Sequence, residues 1–351
     1  MGETQNLLNI YSLEQSDAWD AAVRSFKAYD VYWLSGYARA FKLHGDGEPY
    51  LYYYENEGIR GIHLVMKRDI AKAPFFKGLL EEKRFFDYSS PYGYGGWLIE
   101  GENTEQLFAA YEKQVRAKGI VSEFIRFHPM LRNHEACRDF YQVIGLGTVV
   151  HMDLDSPETI WTNLTSKNRN MIRKAEKNGL RIYQGRYPAI YETFREIYNA
   201  TMDKDQADPY YYFEPEFYRS VLEDLPENAT VFYAMAEDRI IAASIMLTAN
   251  GRMNYHLSGS LREYAHLAPT NLLLYKAALW GCANGCRTLY LGGGVGSGED
   301  SLFKFKKAFY RGEDLNRFYI GKKIISEESY RELEDLRNPP EESHYFPRYR
   351  A

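Results

Sequence analysis

The sequence predicts a layered α+β fold built from a duplicated domain, and three observations carry that expectation. Strand and helix signals alternate along the chain with loops between them, the order expected where helices cover a sheet. One run of elements, strand, turn-rich loop, helix, glycine and strand, occurs twice. The helix signal around Leu272 to Trp280 is apolar nearly all round, as suits a helix buried against a sheet.

In the first copy a short strand at 84–88 runs into the turn-rich Ser89-Ser90-Pro91-Tyr92-Gly93-Tyr94-Gly95-Gly96. A helix follows at 103–118, with Asn103 or Thr104 as its N-cap and Gly119 just past its end, and then an alternating strand at 121–127. In the second copy the strand is 253–257, the loop runs from Ser258 to Pro269, the helix is 270–284 and Gly285 ends it before a strand at 288–291. The caps Thr104 and Thr270, and the glycines Gly119 and Gly285, are each separated by 166 residues. That interval is about half the chain and fits a duplicated domain better than a solenoid of short repeats. A strand ends and a proline-led helix begins near Asp153 to Pro157, so the expected domains are 1–152 and 153–337. Asn338-Pro339-Pro340 breaks any helix, and 338–351 is expected to be a loosely held tail.

With 351 residues, 45% hydrophobic and 26% charged, the chain can fill two cores and does not have the composition of a disordered protein. A net charge of −5 argues against general nucleic-acid binding, although a local basic patch stays open. No stretch approaches the roughly 18 uncharged apolar residues of a membrane span. The opening Met1-Gly2-Glu3-Thr4-Gln5-Asn6 has no secretory pattern, and Asn6 stands where a myristoylation signal needs Ser or Thr, so a cytoplasmic location is expected, with at most peripheral membrane contact. Cys137, Cys282 and Cys286 form neither a disulfide framework nor a zinc pattern, and single histidines such as His128, His256 and His266 read as structural, so no metal is expected. The 31 tyrosines suit cores and sugar or peptide pockets alike.

The glycine-rich Leu291 to Asp300 is not a phosphate loop, because Glu299 and Asp300 stand where Lys and Ser or Thr are needed, and it lacks the dinucleotide spacing. It either lets backbone approach a substrate or is a plain loop. After it, Leu302, Phe305 and Phe309 share one face of a short helix with Lys306 at the edge. A lysine there can stabilise an oxyanion or a carboxylate, or it can snorkel to solvent. The same 166-residue interval puts Phe140 opposite Lys306, so only the second copy keeps the cation. Around 165–177, Arg169, Arg173 and Lys177 lie one turn apart, a face for an RNA backbone or a nucleotide diphosphate, or for water. Neither a Gly-x-Ser-x-Gly elbow nor a His-Glu-x-x-His helix is present.

Several of these stretches together resemble a known family. Asn254-Tyr255-His256-Leu257-Ser258-Gly259-Ser260, Leu267-Ala268-Pro269-Thr270-Asn271, the glycine loop and Phe303-Lys304-Phe305-Lys306 resemble the second domain of the Fem peptidoglycan-bridge aminoacyl transferases and their GNAT acyltransferase relatives. Ser166-Lys167-Asn168-Arg169-Asn170 is similar to the first helix of that domain, while Asp87 to Gly96 and Arg126-Phe127-His128-Pro129 resemble the first domain. The resemblance implies two tandem GNAT-like acyltransferase domains, each a mixed central sheet flanked by helices. It implies aminoacyl-tRNA or acyl-CoA as donor, no tightly bound cofactor, and an amine acceptor on a peptidoglycan precursor or related envelope molecule, with a tRNA acceptor arm as a possible partner.

Carried onto this sequence, the resemblance makes Lys306 the oxyanion partner and puts acceptor contacts at Phe305, Thr201, Lys204, Tyr211, Tyr255 and Ser258, with Asp87 and Tyr92 in the first domain. Tyr255, His256, Glu299 or Asp300 could take the amine's proton, and backbone N–H groups at 258–260 could assist Lys306. Pro269, Thr270 and Asn271 at a helix start, with Arg169 and Arg173, are the donor-phosphate candidates. The chain departs from the family in having Asp203 and Lys204 where an arginine is usual, and in lacking room for the long helical arm. Two further readings stand beside this one. An acyl-CoA-dependent N- or O-acetyltransferase would act on an envelope sugar or nucleotide sugar, and a noncatalytic module would hold a peptide or glycan.

Overall fold

The computed structural model describes residues 8–351, and the opening residues read above for a leader or lipid signal lie outside that range. The first part of the chain forms β1 (Leu8–Tyr11), α1 (Ser16–Arg24), α2 (Ser35–His44), β2 (Glu48–Asn56), β3 (Ile59–Asp69), β4 (Phe86–Ser89), β5 (Gly96–Glu100), α3 (Glu105–Ala117), β6 (Ile120–Arg126) and β7 (Gln142–Asp153). Then come α4 (Pro157–Asn163), α5 (Ser166–Lys177), β8 (Arg181–Gly185), α6 (Pro188–Asp205), α7 (Pro215–Asp224), β9 (Ala229–Ala236), β10 (Arg239–Ala249) and β11 (Arg252–Ser260). The chain closes with α8 (Pro269–Ala283), β12 (Thr288–Gly292), α9 (Ser301–Lys307), β13 (Asn316–Ile324) and α10 (Glu327–Arg337). Two compact units result, one running to Leu146 and including Phe318–Ala351, the other Gly147–Arg317.

The units repeat one mixed α+β topology. In the first, strands lie in the order β1-β2-β3-β4-β6-β13, with β5 also on β3, and only the β4–β6 pair is parallel. In the second the order is β8-β9-β10-β11-β12-β7, and only β11–β12 is parallel. A parallel pair needs a crossover, supplied by α3 in one unit and α8 in the other. These helices end at Ala117 and Ala283, 166 residues apart, and Gly119 (φ 68°) and Gly285 (φ 79°) both take the left-handed conformation that ends a helix. Their starts differ. Thr104 precedes α3, but α8 begins at Pro269 after Ala268 (φ 56°), so Thr270 lies inside the helix and is not its cap. Proline favours that first position because the N–H it lacks has no partner in the helix.

The unit boundaries also differ from those expected. β13 and α10 return to the first unit, and β7, from the end of the first copy, closes the sheet of the second at Val150–Asp153. The two copies have thus exchanged their closing strands along the chain. The tail is not loose: Asn338 ends α10 as expected, yet Tyr349 is 1% exposed in a cluster with Phe76, Phe85, Val121, Tyr330 and Leu333. Aromatic burial anchors the tail beyond the Pro-Pro break.

Leu272, Leu273, Leu274, Ala277 and Ala278 of α8 bury against Val150, Met152, Leu289 and Leu291, and each buried leucine contributes on the order of 2 kcal/mol. The first unit's core, around Trp97, Val115, Ile125 and Phe127, holds a polar centre. There Glu123, 1% exposed, meets His63 Nε2 on one oxygen and accepts from Tyr111 (3.1 Å) and Tyr141 (2.9 Å) on the other.

Candidate active site in the second unit

The short helix α9 is built from its cap. Asp300 Oδ1 accepts from the Phe303 N–H at 2.8 Å and Oδ2 from the Val295 N–H at 3.2 Å, so one carboxylate starts the helix and fastens the glycine loop. Gly294 is required there, since a Cβ would lie 2.2 Å from Gly298 O and 2.3 Å from Asp300 Oδ1. The Phe303 N–H bond, with the Val295 and Leu302 N–H groups and Lys306, outweighs the effect of burial and holds the Asp300 carboxyl below its usual range. Both oxygens are engaged and their basicity is lowered, so the expected proton acceptor is instead a structural cap.

One turn along α9, Lys306 is 8% exposed and donates from Nζ to Gly293 O at 2.6 Å. Burial pushes its ammonium down to about 8, partly opposed by the Asp300 charge. Gly292 (φ 81°) passes beside it, where a Cβ would stand 3.4 Å from Nζ. Its neighbour Phe305 packs on the core with its ring edge-on to Phe309, centroids 5.5 Å apart, which makes it a packing residue and not an open contact.

On β11 the register skips a residue. Ile245 pairs with Leu257 and Met246 with Tyr255, leaving His256 as the extra residue of a bulge. Burial pushes the His256 imidazole down to about 3, so it is neutral and weakly basic at physiological pH. Burial also raises the Tyr255 hydroxyl, which bonds to Ser258 and Ser244, and Ser244 donates to Ser258 at 2.7 Å. Thr201 on α6 accepts from the Ser260 N–H at 3.0 Å and donates to Ile197 O at 3.0 Å, so Ser260 has no N–H to offer an oxyanion. Lys204 is paired with Asp205 at 3.0 Å, and Tyr211 meets Tyr210 edge-on in the connection between α6 and α7.

The donor-side candidates divide. Arg169 donates to Leu164 O at 2.7 Å and reaches Trp161 O at 3.4 Å, covering the C-terminal carbonyls of α4 and not a ligand phosphate. Arg173 is exposed, its guanidinium 5.2 Å from the Trp161 ring centre. Pro269 is buried and Asn271 donates to Asn168 Oδ1 at 2.8 Å. Asn168, 1% exposed, in turn donates to Ala308 O at 3.2 Å and so links α5, α8 and the end of α9. Sequence reasoning passed over this residue. The available signal was an amide within the buried stripe Asn168, Ile172 and Ala175.

Two acceptor candidates belong to the first unit. Asp87 is fully buried and bonded to Arg68 (2.7 Å), Arg350 (2.5 Å) and Tyr349 (3.2 Å), a structural role in place of the expected substrate contact. Tyr92 accepts at its carbonyl from the Tyr37 hydroxyl at 2.5 Å and its ring leans on Phe41. Among the described residues no group of side chains could hold a metal ion, and no helix is long and apolar enough to cross a membrane.

Residues 166–307 match the family model described as an acetyltransferase (GNAT) domain, a span from the first residue of α5 to the last of α9. No curated protein matches the chain. Among solved structures, FemX aligns at 14% identity with a TM-score of 0.69, covering 93% of this chain and all of FemX. The C-terminal domain of a putative lysylphosphatidylglycerol synthetase from Agrobacterium fabrum aligns at 14% identity and TM-score 0.53, covering 88% of this chain and 91% of that one. A tandem GNAT protein from the clavulanic acid biosynthesis pathway aligns at 9% and 0.50, with 91% and 99% covered. The chain is thus an acyltransferase by class, carrying a GNAT acetyltransferase domain at residues 166–307 on a two-unit fold shared with FemX and with a tandem GNAT protein.

Proposed function

We propose that this chain transfers an acyl or aminoacyl group from an activated carbonyl donor to an amine on a peptidoglycan precursor or related envelope molecule, with Lys306 stabilising the tetrahedral intermediate. The observation that carries this reading is the buried Lys306 ammonium against the glycine loop, inside the segment that matches the acetyltransferase domain. The amine lone pair attacks the donor carbonyl carbon, the carbonyl electrons move to oxygen, and the positive charge of Lys306 acts on that oxygen at low local dielectric. Collapse reforms the carbonyl, expels the thiol or alcohol of the donor, and the proton lost by the amine leaves with that group.

The chemistry on the donor side is shared by an acyl thioester and an aminoacyl ester. The acetyltransferase match favours acyl-CoA, and the resemblance to Fem enzymes favours aminoacyl-tRNA. Thermal shift with acetyl-CoA, charged tRNA and a UDP-muramyl peptide separates them, because a ligand at 100 times its Kd stabilises by about 2.7 kcal/mol. Lys306→Met is expected to lower kcat by about 10²–10³ with folding intact. Only the protonated amine can serve the oxyanion, so wild-type activity is expected to fall as pH rises through about 8. Full kcat in Lys306→Met would overturn the role given to Lys306, whereas no thermal shift with any of the three ligands would leave the noncatalytic reading standing.

A further inference from the structure

We propose that Gly147, midway along β7, is a positioning residue for Lys306, acting as the seat on which the glycine loop rests. The proposal deepens the acyl-transfer reading and rests on it for its catalytic consequence. A Cβ built on Gly147 would lie 1.9 Å from Ser297 O, 2.8 Å from Ser297 C and 3.0 Å from Ser297 Cβ. No side chain fits there, and the nearest obstacle is backbone. The next residue continues the seat, since a Cβ on Gly293 would be 3.0 Å from Thr148 O. Backbone therefore packs directly on backbone from 147–148 to 293–297.

From this seat the loop reaches the cation. Gly293 O is the acceptor for Lys306 Nζ at 2.6 Å, and Ser297 is held in a left-handed conformation (φ 65°) by a tight turn in which its N–H bonds to Gly294 O at 3.3 Å. On the far side Asp300 fastens Val295 to the start of α9. The loop is thus clamped between β7 and the helix that carries Lys306. Gly147 does not need glycine for its own backbone, whose φ is not left-handed, so what its missing side chain provides is space for the loop. Adding one methyl forces the loop off β7 by more than an ångström and takes Gly293 O with it. A misplacement of about 1 Å in a catalytic arrangement can cost on the order of 10²-fold in rate.

Three alanine variants grade the perturbation: Gly147→Ala, Gly293→Ala and Gly298→Ala, where the nearest atoms to the new Cβ stand at 1.9, 3.0 and 3.5 Å. The readout is the pH midpoint of acylation of Lys306 by a small anhydride, followed by mass spectrometry of the peptide, which needs neither donor nor acceptor. In Gly147→Ala the midpoint is expected to rise by about half a unit or more as Lys306 meets water, by less in Gly293→Ala, and not at all in Gly298→Ala. The kcat is expected to fall in the same order, at least about tenfold for Gly147→Ala. If Gly147→Ala does not fold, Gly293→Ala against Gly298→Ala carries the comparison. A Lys306 midpoint in folded Gly147→Ala or Gly293→Ala equal to wild type overturns the seating role. Full kcat in Lys306→Met overturns the reading on which its catalytic consequence rests, and the labelling and kinetic readouts keep those two failures apart.

Discussion

Asp87→Asn separates a structural carboxylate from a substrate contact. In the first unit Oδ1 of Asp87 accepts from Arg68 Nε at 2.7 Å and Arg350 Nη2 at 3.1 Å, while Oδ2 accepts from Arg350 Nε at 2.5 Å and the Tyr349 hydroxyl at 3.2 Å. Asparagine has the same shape but turns an N–H₂ toward one pair of those donors and removes the charge facing two guanidiniums. Removing one partner of a buried ion pair costs about 3–5 kcal/mol. The side chains of Arg68 and Arg350 keep 24% and 14% exposure and can partly hydrate, which selects the lower end, about 3 kcal/mol. For a unit of this size that corresponds to a fall in Tm on the order of 6–12 °C.

Burial alone would raise the Asp87 carboxyl, but Arg68 and then Arg350 outweigh it and hold the group below its ordinary value. A depressed folded pKa contributes stability above the unfolded value of about 3.9 and loses it as pH falls through the folded one. The gap between wild type and Asp87→Asn is therefore expected to be full at pH 7, to begin to narrow as pH falls below about 4, and to close only as pH passes the lower folded value. Circular dichroism melts at pH 7 and pH 3.5, with acceptor KM measured on the folded variant, provide the test. A variant that melts within about 1 °C of wild type at pH 7, yet loses acceptor affinity, would refute the structural assignment.

Other outcomes follow from the same kind of geometry. Glu123→Gln removes the charge at the centre of the buried His63, Tyr111 and Tyr141 network and is expected to cost about 2–4 kcal/mol in urea unfolding, with a normal KM in the folded fraction. Gly259→Ala would bring a Cβ within 2.8 Å of Ile197 O and of Tyr198 Cα, pushing α6 off β11, and is expected to destabilise by about 1–3 kcal/mol in urea unfolding. Removing 345–351 exposes the cluster around Tyr349 and strips Asp87 of Arg350, so the shortened chain is expected to melt below Asp87→Asn.

The local signals in the sequence determined the crossover helices, their terminating glycines and the half-chain repeat, because caps, periodicity and left-handed glycine all act within a few residues. They also placed Lys306 beside an apolar face after a glycine loop, and the structure buries it there against Gly293 O. What neighbours decide across the chain was not legible. The sequence leaves Arg169 facing either a phosphate or water, because nothing local announces that the carbonyls of α4 will take its guanidinium. Asp300 stands in the sequence as one of four candidate proton acceptors although Asp followed by Ser301 and an apolar run is also a cap signal, and only the placement of Val295 and Phe303 shows both oxygens engaged. The exchange of β7 and β13 between units has no sequence signature, since a closing strand is chosen by backbone hydrogen bonding to a partner far along the chain and not by its own composition. Local chemistry thus determined the pieces and the cation, while tertiary structure alone decided which strand completes each sheet and which polar side chains remain for chemistry once the buried hydrogen bonds are satisfied.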